Sequence, residues 1–142
     1  MRRTARISLL LSLAACSSGP AADPFAATQG PSWTAIGLRP GLAQEQAWTE
    51  TVSFLKARFE LDTVSHETGT IRTAWTHDWT GQVDRGYRVR ATVRFYQSDS
   101  KAVHLLAEAQ RLKSGAWTPG VDSVFSEMML HELGTVLGKK TG

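Results

Sequence analysis

The sequence predicts an α+β domain, in which an antiparallel sheet of about four strands has an N-terminal and a C-terminal helix packed on one face. Two observations support this fold class. Apolar residues recur at helical spacing near both ends of the domain, over residues 44–59 and again after residue 122. Between these segments, short stretches alternate apolar with polar side chains, which is typical of half-buried strands in an antiparallel sheet.

The first helix is predicted over residues 44–59. Its apolar stripe consists of Trp48, Val52, Leu55 and Phe59. Because they recur every three or four residues, these side chains lie on one side of a helix. Charged residues occupy much of the remaining helix surface.

The strands are predicted between the two helices, at residues 61–66, 70–76, 87–96 and 101–110. Residues 67–69 are predicted to form a turn, and the polar segment 77–84 a loop. In the second strand, Ile71, Thr73 and Trp75 would share one face, because successive side chains of a strand alternate between the two faces.

The third strand shows the clearest alternation, with arginines on the face opposite its apolar residues. These arginines are Arg88, Arg90 and Arg94, and Arg72 occupies a neighbouring strand. Such a cationic row could bind lipid headgroups, acidic glycans or an acidic partner protein. The favoured interpretation is the solvated outer face that many antiparallel sheets have, because surface charge alone specifies no partner. Both interpretations remain open at the level of sequence.

The last helix follows a predicted loop that contains Trp117, Pro119 and Gly120. Asp122 or Ser123 can cap its first turn with a side-chain oxygen. Its apolar side is formed by Val124, Phe125, Met128, Met129, Leu133, Val136 and Leu137.

Tryptophans, in addition to the arginine row, are candidates for a binding surface. Trp48 and Trp75 fall on predicted buried faces and are expected in the core. Trp79 and Trp117 fall in predicted loops, where an exposed aromatic would form a contact site or would fold back over an end of the sheet. The candidate binding surface therefore comprises Arg72, Arg88, Arg90, Arg94, Trp79 and Trp117.

The N-terminus has the layout of a bacterial secretory signal over residues 1–15. Three arginines precede a short apolar stretch, which ends in the small residues Ala14 and Ala15. The chain has 16 Lys and Arg against 13 Asp and Glu, a formal charge of +3. Removal of the three arginines leaves 13 cations, equal to the 13 acidic residues, so the predicted mature chain is neutral. This balance argues against nucleic acid as a partner.

The segment Leu13-Ala14-Ala15-Cys16 resembles the lipobox of bacterial lipoproteins. The resemblance implies that Cys16 becomes the N-terminus and carries covalent lipid on its thiol and its amine. Two or more acyl chains hold a protein firmly at a membrane. Ser17 is similar to the sorting pattern of outer-membrane lipoproteins, so the expected location is the outer membrane, facing the periplasm or the surface. The alternative is an ordinary signal peptide with a later cleavage site and an idle thiol.

Residues 16–32 are predicted to contain the lipidated cysteine and a flexible tether. Ala, Ser, Gly and Pro occupy 12 of the 16 positions from 17 to 32, so this stretch offers little to bury. A single α+β domain is predicted over residues 33–142, which is long enough for one modest core.

The order of elements resembles that of outer-membrane lipoproteins of the BamC type. The resemblance rests on the helix ending at Phe59, the stretch Glu67-Thr68-Gly69-Thr70-Ile71-Arg72-Thr73-Ala74-Trp75, the strand Tyr87-Arg88-Val89-Arg90-Ala91-Thr92-Val93-Arg94-Phe95 and the C-terminal helix. It implies a helix-grip fold and a role as an accessory lipoprotein of β-barrel assembly in the outer membrane. It implies no catalytic residue and no cofactor other than the covalent lipid on Cys16.

The last helix also contains a motif similar to the zinc-binding sequence HExxHxxG of metzincin proteases. Here the motif reads His131-Glu132-Leu133-Gly134-Thr135-Val136-Leu137-Gly138. Such a site needs two histidines one helical turn apart, but Thr135 occupies the second ligand position. We therefore expect no metal site and interpret the segment as an amphipathic helix.

The sequence favours a non-enzymatic lipoprotein that is attached to the membrane by its lipid and binds a protein partner of the cell envelope. An enzyme would be supported only by the degenerate HELG helix. A structural lipoprotein would contact peptidoglycan or anionic lipid through the arginine row. No Ser-His-Asp arrangement, phosphate-binding loop or CxxC pair is recognisable.

Overall fold

The structure is a computed structural model, which describes residues 19, 22–30 and 32–138. Within these residues the strands are β1 (Phe25–Ala27), β2 (Thr34–Gly37), β3 (Leu61–Ser65), β4 (Thr70–Thr73), β5 (Tyr87–Tyr96), β6 (Asp99–Lys113) and β7 (Ala116–Asp122). The helices are α1 (Gln44–Lys56) and α2 (Ser123–Leu137). The predicted signal peptide and Cys16 lie outside the described residues.

The strands form one antiparallel sheet, in the order β1-β7-β6-β5-β4-β3. Strand β6 has 15 residues and pairs along one edge with β5. Its other edge pairs with two strands, β2 opposite residues 102–105 and β7 opposite residues 109–113. Strands β1 and β3 end this order, and β2 pairs only with β6, so among the described residues these three strands each have an unpaired edge.

The predicted α+β class, with two helices and an antiparallel sheet, is confirmed, but the predicted number of strands is wrong. The sheet has seven strands within the described residues, where the sequence predicts about four. The predicted strands correspond to β3, β4, β5 and β6. Strand β1 lies in the predicted tether, β2 follows it, and β7 occupies the predicted loop before α2. These three strands are short or contain proline and glycine, so they lack the alternation that identifies a strand in sequence.

Strand β7 contains Pro119 and Gly120, and both residues face the neighbouring strand β1 in a way that suits a proline and a glycine. The carbonyl oxygen of Pro119 accepts a hydrogen bond from the backbone N–H of Thr28 at 3.2 Å. The N–H and C=O of one strand residue point to the same side, so the donor that Pro119 lacks would face the end of β1 and not β6. A side chain at Gly120 would collide with the carbonyl oxygen of Ala26 and the ring of Phe25. Glycine at position 120 therefore allows β1 to approach β7 closely.

Both helices pack on one face of the sheet and enclose a common core. The sheet contributes Ile71, Val89, Ala91, Val93, Val103 and Leu105, each at most 2% exposed. The helices contribute Trp48, Leu55, Phe125, Met129, Leu133 and Leu137 to the same cluster. We call the opposite side of the sheet, which neither helix covers, the outer face.

The helix boundaries agree closely with the predicted ones. Helix α1 ends at Lys56, three residues before the predicted end at Phe59. Phe59 still packs against the core, in an edge-to-face contact with Phe125 at 6.2 Å between ring centroids. Helix α2 begins as predicted, with Asp122 as its N-cap.

Trp75 is not a core residue, contrary to the prediction. Ile71 and Thr73 are buried beneath the helices as predicted, at 0% and 1% exposure. Strand β4 ends at Thr73, so the alternation of side chains does not continue to position 75. The Trp75 ring instead contacts Arg88 and Arg90, whose side chains lie on the outer face.

Candidate functional site

Strand β5 positions three arginines on the outer face. Arg88, Arg90 and Arg94 alternate along the strand with core residues that are fully buried under the helices. Arg72 of β4 lies on the same face, because its neighbour in register is Thr92 of β5. The structure therefore brings the four predicted arginines onto one surface.

Three tryptophans contact these arginines. Trp75 and Trp117 lie at one end of β5, against Arg88, and Trp33 lies near the other end, against Arg94. We call this surface the arginine–tryptophan face. It consists of Arg72, Arg88, Arg90, Arg94, Trp33, Trp75 and Trp117.

Arg88 is held between two indole rings. Its Cζ lies 4.5 Å from the ring centroid of Trp75 and 3.9 Å from that of Trp117. Its Nε and Nη2 donate hydrogen bonds to Oε1 of Gln110, at 2.9 and 2.6 Å. Partial burial and the neighbouring charge of Arg90 lower the pKa of the Arg88 guanidinium. Since Gln110 is neutral, Arg88 is fixed in place by contacts that leave its charge uncompensated.

Arg90 and Arg72 differ from Arg88 because each is paired with a carboxylate. Arg90 binds Glu108 in a bidentate pair, with Nε–Oε2 at 3.0 Å and Nη2–Oε1 at 3.3 Å. Nε of Arg72 lies 2.9 Å from Oδ1 of Asp62. Burial alone would raise the pKa of Asp62, but the hydrogen bond from Arg72 and a further one from Thr63 lower it overall.

Arg94 is the second uncompensated cation of this face. Its Nε is buried and has no hydrogen-bond partner among the described residues. Its Cζ lies 5.6 Å from the ring centroid of Trp33, and its cross-strand neighbour on β6 is His104. Within the described part of the chain, no carboxylate lies within ion-pair distance of Arg94 or of Arg88.

Trp79, which the sequence places with the candidate surface, does not contact the arginines. Its ring makes a T-shaped contact with Phe125 of α2, at 5.3 Å between centroids. The loop over residues 77–86 therefore folds this tryptophan toward the helices. Trp117 does belong to the surface, because β7 carries it beside Arg88.

Trp33 and Trp75 are members of the face that the sequence pattern does not predict. Trp33 precedes β2, a four-residue strand without a clear apolar alternation. Trp75 follows the end of β4, where the backbone no longer obeys the two-residue period. The sequence contains one signal for these aromatic neighbours. Strand β5 has three arginines on a single face, and a guanidinium is attracted to the face of an aromatic ring.

The HELG segment forms part of α2. Thr135 Oγ1 donates a hydrogen bond to the carbonyl oxygen of His131 at 2.8 Å, as threonines within helices often do. Glu132 Oε2 forms an ion pair at 3.0 Å with Nε of Arg58, two residues after the end of α1. Among the described residues, no three His, Cys, Asp or Glu side chains are grouped as metal ligands would be.

The N-terminal segment is fastened to the domain by an ion pair. Arg111 Nη1 and Nη2 lie 2.6 and 2.9 Å from the carboxylate oxygens of Asp23. The Arg111 guanidinium also lies over the rings of Phe25 and Tyr87, at 4.6 and 5.2 Å. Asp23 lies two residues before the start of β1, so this pair holds β1 in the sheet.

We expect the carboxyl group of Asp23 to titrate at about pH 2. The hydrogen bond from Arg111 and one from the backbone N–H of Phe25 lower its pKa from 3.8 to about 2. Because the folded pKa is the lower one, the pair contributes stability above pH 3.8 and loses it as the pH falls toward 2. Carbon-detected NMR titration of the side-chain carboxyl groups measures the midpoint.

Arg111→Ala should return this midpoint toward 3.8, the ordinary value for aspartate. Arg85→Ala removes an exposed loop arginine and is the matched control, which should leave the titration unchanged. A midpoint near 3.8 in the unmodified chain would show that the ion pair does not form in solution.

No protein-family model matches this chain, and no curated protein matches it at a significant level. Among the described residues, neither helix is both long and apolar enough to cross a membrane. The geometry of the arginine–tryptophan face is therefore the basis for a functional proposal.

Proposed function

We propose that this chain is a lipid-anchored, non-catalytic binding protein of the cell envelope, which acts as an accessory subunit at the outer membrane. One observation carries the proposal: Arg88 is held between Trp75 and Trp117, with the neutral Gln110 as its hydrogen-bond partner. A cation that is oriented but not neutralised is suited to binding an anionic group of another molecule.

The contrast between the arginines supports this interpretation. Arg72 and Arg90 have carboxylate partners, as expected on the solvated face of a sheet. Arg88 and Arg94 do not, and both are partly buried against tryptophans. Partial burial without a counter-charge lowers stability, because neutral hydrogen-bond partners and aromatic rings replace water at the guanidinium but do not neutralise its charge. A ligand with anionic oxygens would supply the interaction that is missing.

The anchoring part of the proposal rests on the lipobox resemblance at Cys16, and the accessory role on the resemblance to lipoproteins of the BamC type. A helix-grip-like arrangement, in which both helices pack on one face of an antiparallel sheet, agrees with that resemblance. It leaves the outer face free to bind an anionic ligand, and the helix layer free to contact an envelope protein such as a component of β-barrel assembly. The domain would face the periplasm or the cell surface.

Envelope fractionation tests the proposal. Mass spectrometry of the N-terminal peptide should show acylated Cys16, and Cys16→Ser should release the protein from stable membrane attachment, whereas Ser17→Ala should not. The released Cys16→Ser chain should still associate reversibly with envelope fragments through its arginine–tryptophan face.

Adding Arg88→Gln and Arg94→Gln to the Cys16→Ser chain should reduce this association. Lys56→Gln with Lys101→Gln is the matched control, because it removes the same charge from exposed positions on α1 and at the start of β6. Equal association of the two double variants would contradict a binding role for the face. An unmodified cysteine in membrane-derived protein would contradict the lipid anchor.

A further inference from the structure

The distance between the lipid and the folded domain is set by the position of β1. Asp23 is fixed by Arg111, and Phe25 pairs in register with Asp122 of β7. Only residues 17–22 therefore separate Cys16 from the fastened segment. Even fully extended, seven residue steps span at most about 25 Å.

This length keeps the domain at the membrane surface. A folded domain of this size is roughly 35 Å across. A connection shorter than the domain itself keeps the fastened segment within about 25 Å of the headgroups, so a face of the domain can rest on the membrane.

The spacing of the uncompensated arginines favours a continuous anionic surface. Arg88 and Arg94 are six residues apart on β5, which corresponds to roughly 20 Å along a strand. No single phosphate or carboxylate can contact both. A phospholipid surface presents many phosphates side by side, so both guanidinium groups can bind one at the same time.

Exposed apolar side chains flank these arginines on the outer face. Leu112 is 43% exposed and pairs in register with Trp117 at one end of β5. At the other end, Trp33 is 39% exposed and Tyr96, whose ring contacts His104, is 37% exposed. Tryptophan and tyrosine are enriched at membrane interfaces, since each combines an apolar ring with a polar group.

We propose that the arginine–tryptophan face lies against the anionic phospholipid headgroups of the membrane to which the Cys16 lipid attaches the chain. The inference rests on the acylation proposed above and names the ligand of the proposed binding face. Arg88 and Arg94 bind headgroup phosphates, while Leu112, Trp33 and Tyr96 enter the interface around them. The helix layer then faces away from the membrane and remains accessible to a protein partner.

A fluorophore attached to the face reports this orientation. Because the Cys16 thiol carries lipid, an introduced cysteine is the one thiol that can be labelled. The acylated full-length chain carries an environment-sensitive fluorophore at Leu112→Cys, or at Val124→Cys on α2, which is 54% exposed in the helix layer. Each protein is reconstituted into vesicles of phosphatidylcholine alone or of phosphatidylcholine with phosphatidylglycerol.

We expect the label at position 112 to shift to the blue in vesicles that contain phosphatidylglycerol, and the label at position 124 to stay unchanged. Arg88→Gln with Arg94→Gln should reduce the ratio of docked to undocked protein about 25-fold, since each arginine near an anionic surface contributes about fivefold. Lys56→Gln with Lys101→Gln is the charge-matched control and should have little effect. Added salt should weaken docking.

The outcomes separate this inference from the proposed function. An acylated chain whose label at position 112 stays in water on phosphatidylglycerol vesicles overturns the inference and leaves the lipid anchor intact. A blue shift only in native envelope membranes, and not in protein-free vesicles, assigns the face to a protein partner and also overturns it. Fluorophore on Cys16 itself would mean a free thiol, which contradicts the proposed anchor.

Discussion

Replacing Phe125 by alanine is expected to lower the free energy of unfolding by about 3–5 kcal/mol. Phe125 is 1% exposed and lies in the first turn of α2. Its ring contacts Phe59 beyond the end of α1 at 6.2 Å and Trp79 of the 77–86 loop at 5.3 Å. The substitution would leave a cavity lined by side chains of three separate elements, and such a cavity adds to the lost transfer free energy of the ring.

Denaturant unfolding followed by circular dichroism measures this effect, with far-UV spectra confirming that the variant is folded in buffer. Val124→Ala is the matched control. Val124 is the adjacent residue of α2 and is 54% exposed, so its truncation should change stability by at most about 0.5 kcal/mol. A loss below about 1 kcal/mol for Phe125→Ala would show that α2 does not pack as described.

The features that could be predicted from the sequence are those with a strong local period. The stripe of α2 predicts Phe125, Met129 and Leu133 as buried, and all three are at most 1% exposed, although Val124 of the same predicted stripe is 54% exposed. The alternation over residues 87–96 predicts which side chains of β5 face the helices and which form the arginine row. In both cases the buried positions recur with the period of the helix or the strand. A single sequence is therefore enough to predict which side chains are buried.

The features that could not be predicted depend on pairing between distant segments. Phe25 belongs to a strand because Asp122 and Gly120, nearly a hundred residues away, provide its partner strand. A three-residue strand has no period of its own, and a composition rich in alanine, serine, glycine and proline is typical of a tether. Part of the predicted tether therefore forms strand β1, because it pairs with β7 at the edge of the sheet.

The positions of the tryptophans of the candidate site could not be predicted either, because they too depend on structure beyond the local pattern. Trp75 is two residues beyond Thr73, so a continuous strand would bury it, but β4 ends first. Trp79 follows in a polar loop, yet it packs against Phe125. The arginines could be placed by alternation within β5, whereas their aromatic neighbours come from elements whose ends the sequence does not define.

Asp122→Ala is expected to lower the free energy of unfolding by about 2–4 kcal/mol, because this residue joins β7, α2 and β5 through one carboxylate. Asp122 is 1% exposed. Its Oδ1 accepts a hydrogen bond from the backbone N–H of Phe125 at 2.8 Å, and its Oδ2 accepts one from the hydroxyl of Tyr87 at 2.5 Å. Burial, together with this hydrogen bond, raises the pKa of Tyr87.

A double-mutant cycle with Tyr87→Phe separates the two roles of Asp122. Tyr87→Phe removes the hydroxyl and leaves the helix cap, so it should cost about 1 kcal/mol. If the hydrogen bond forms, the double variant should be more stable than the sum of the single effects predicts, by about 1 kcal/mol or more. Asp122→Asn should lie between the native chain and Asp122→Ala, because asparagine is an equally good N-cap. Additive single effects would mean that Tyr87 and Asp122 are not bonded, and that the start of α2 is held by the cap alone.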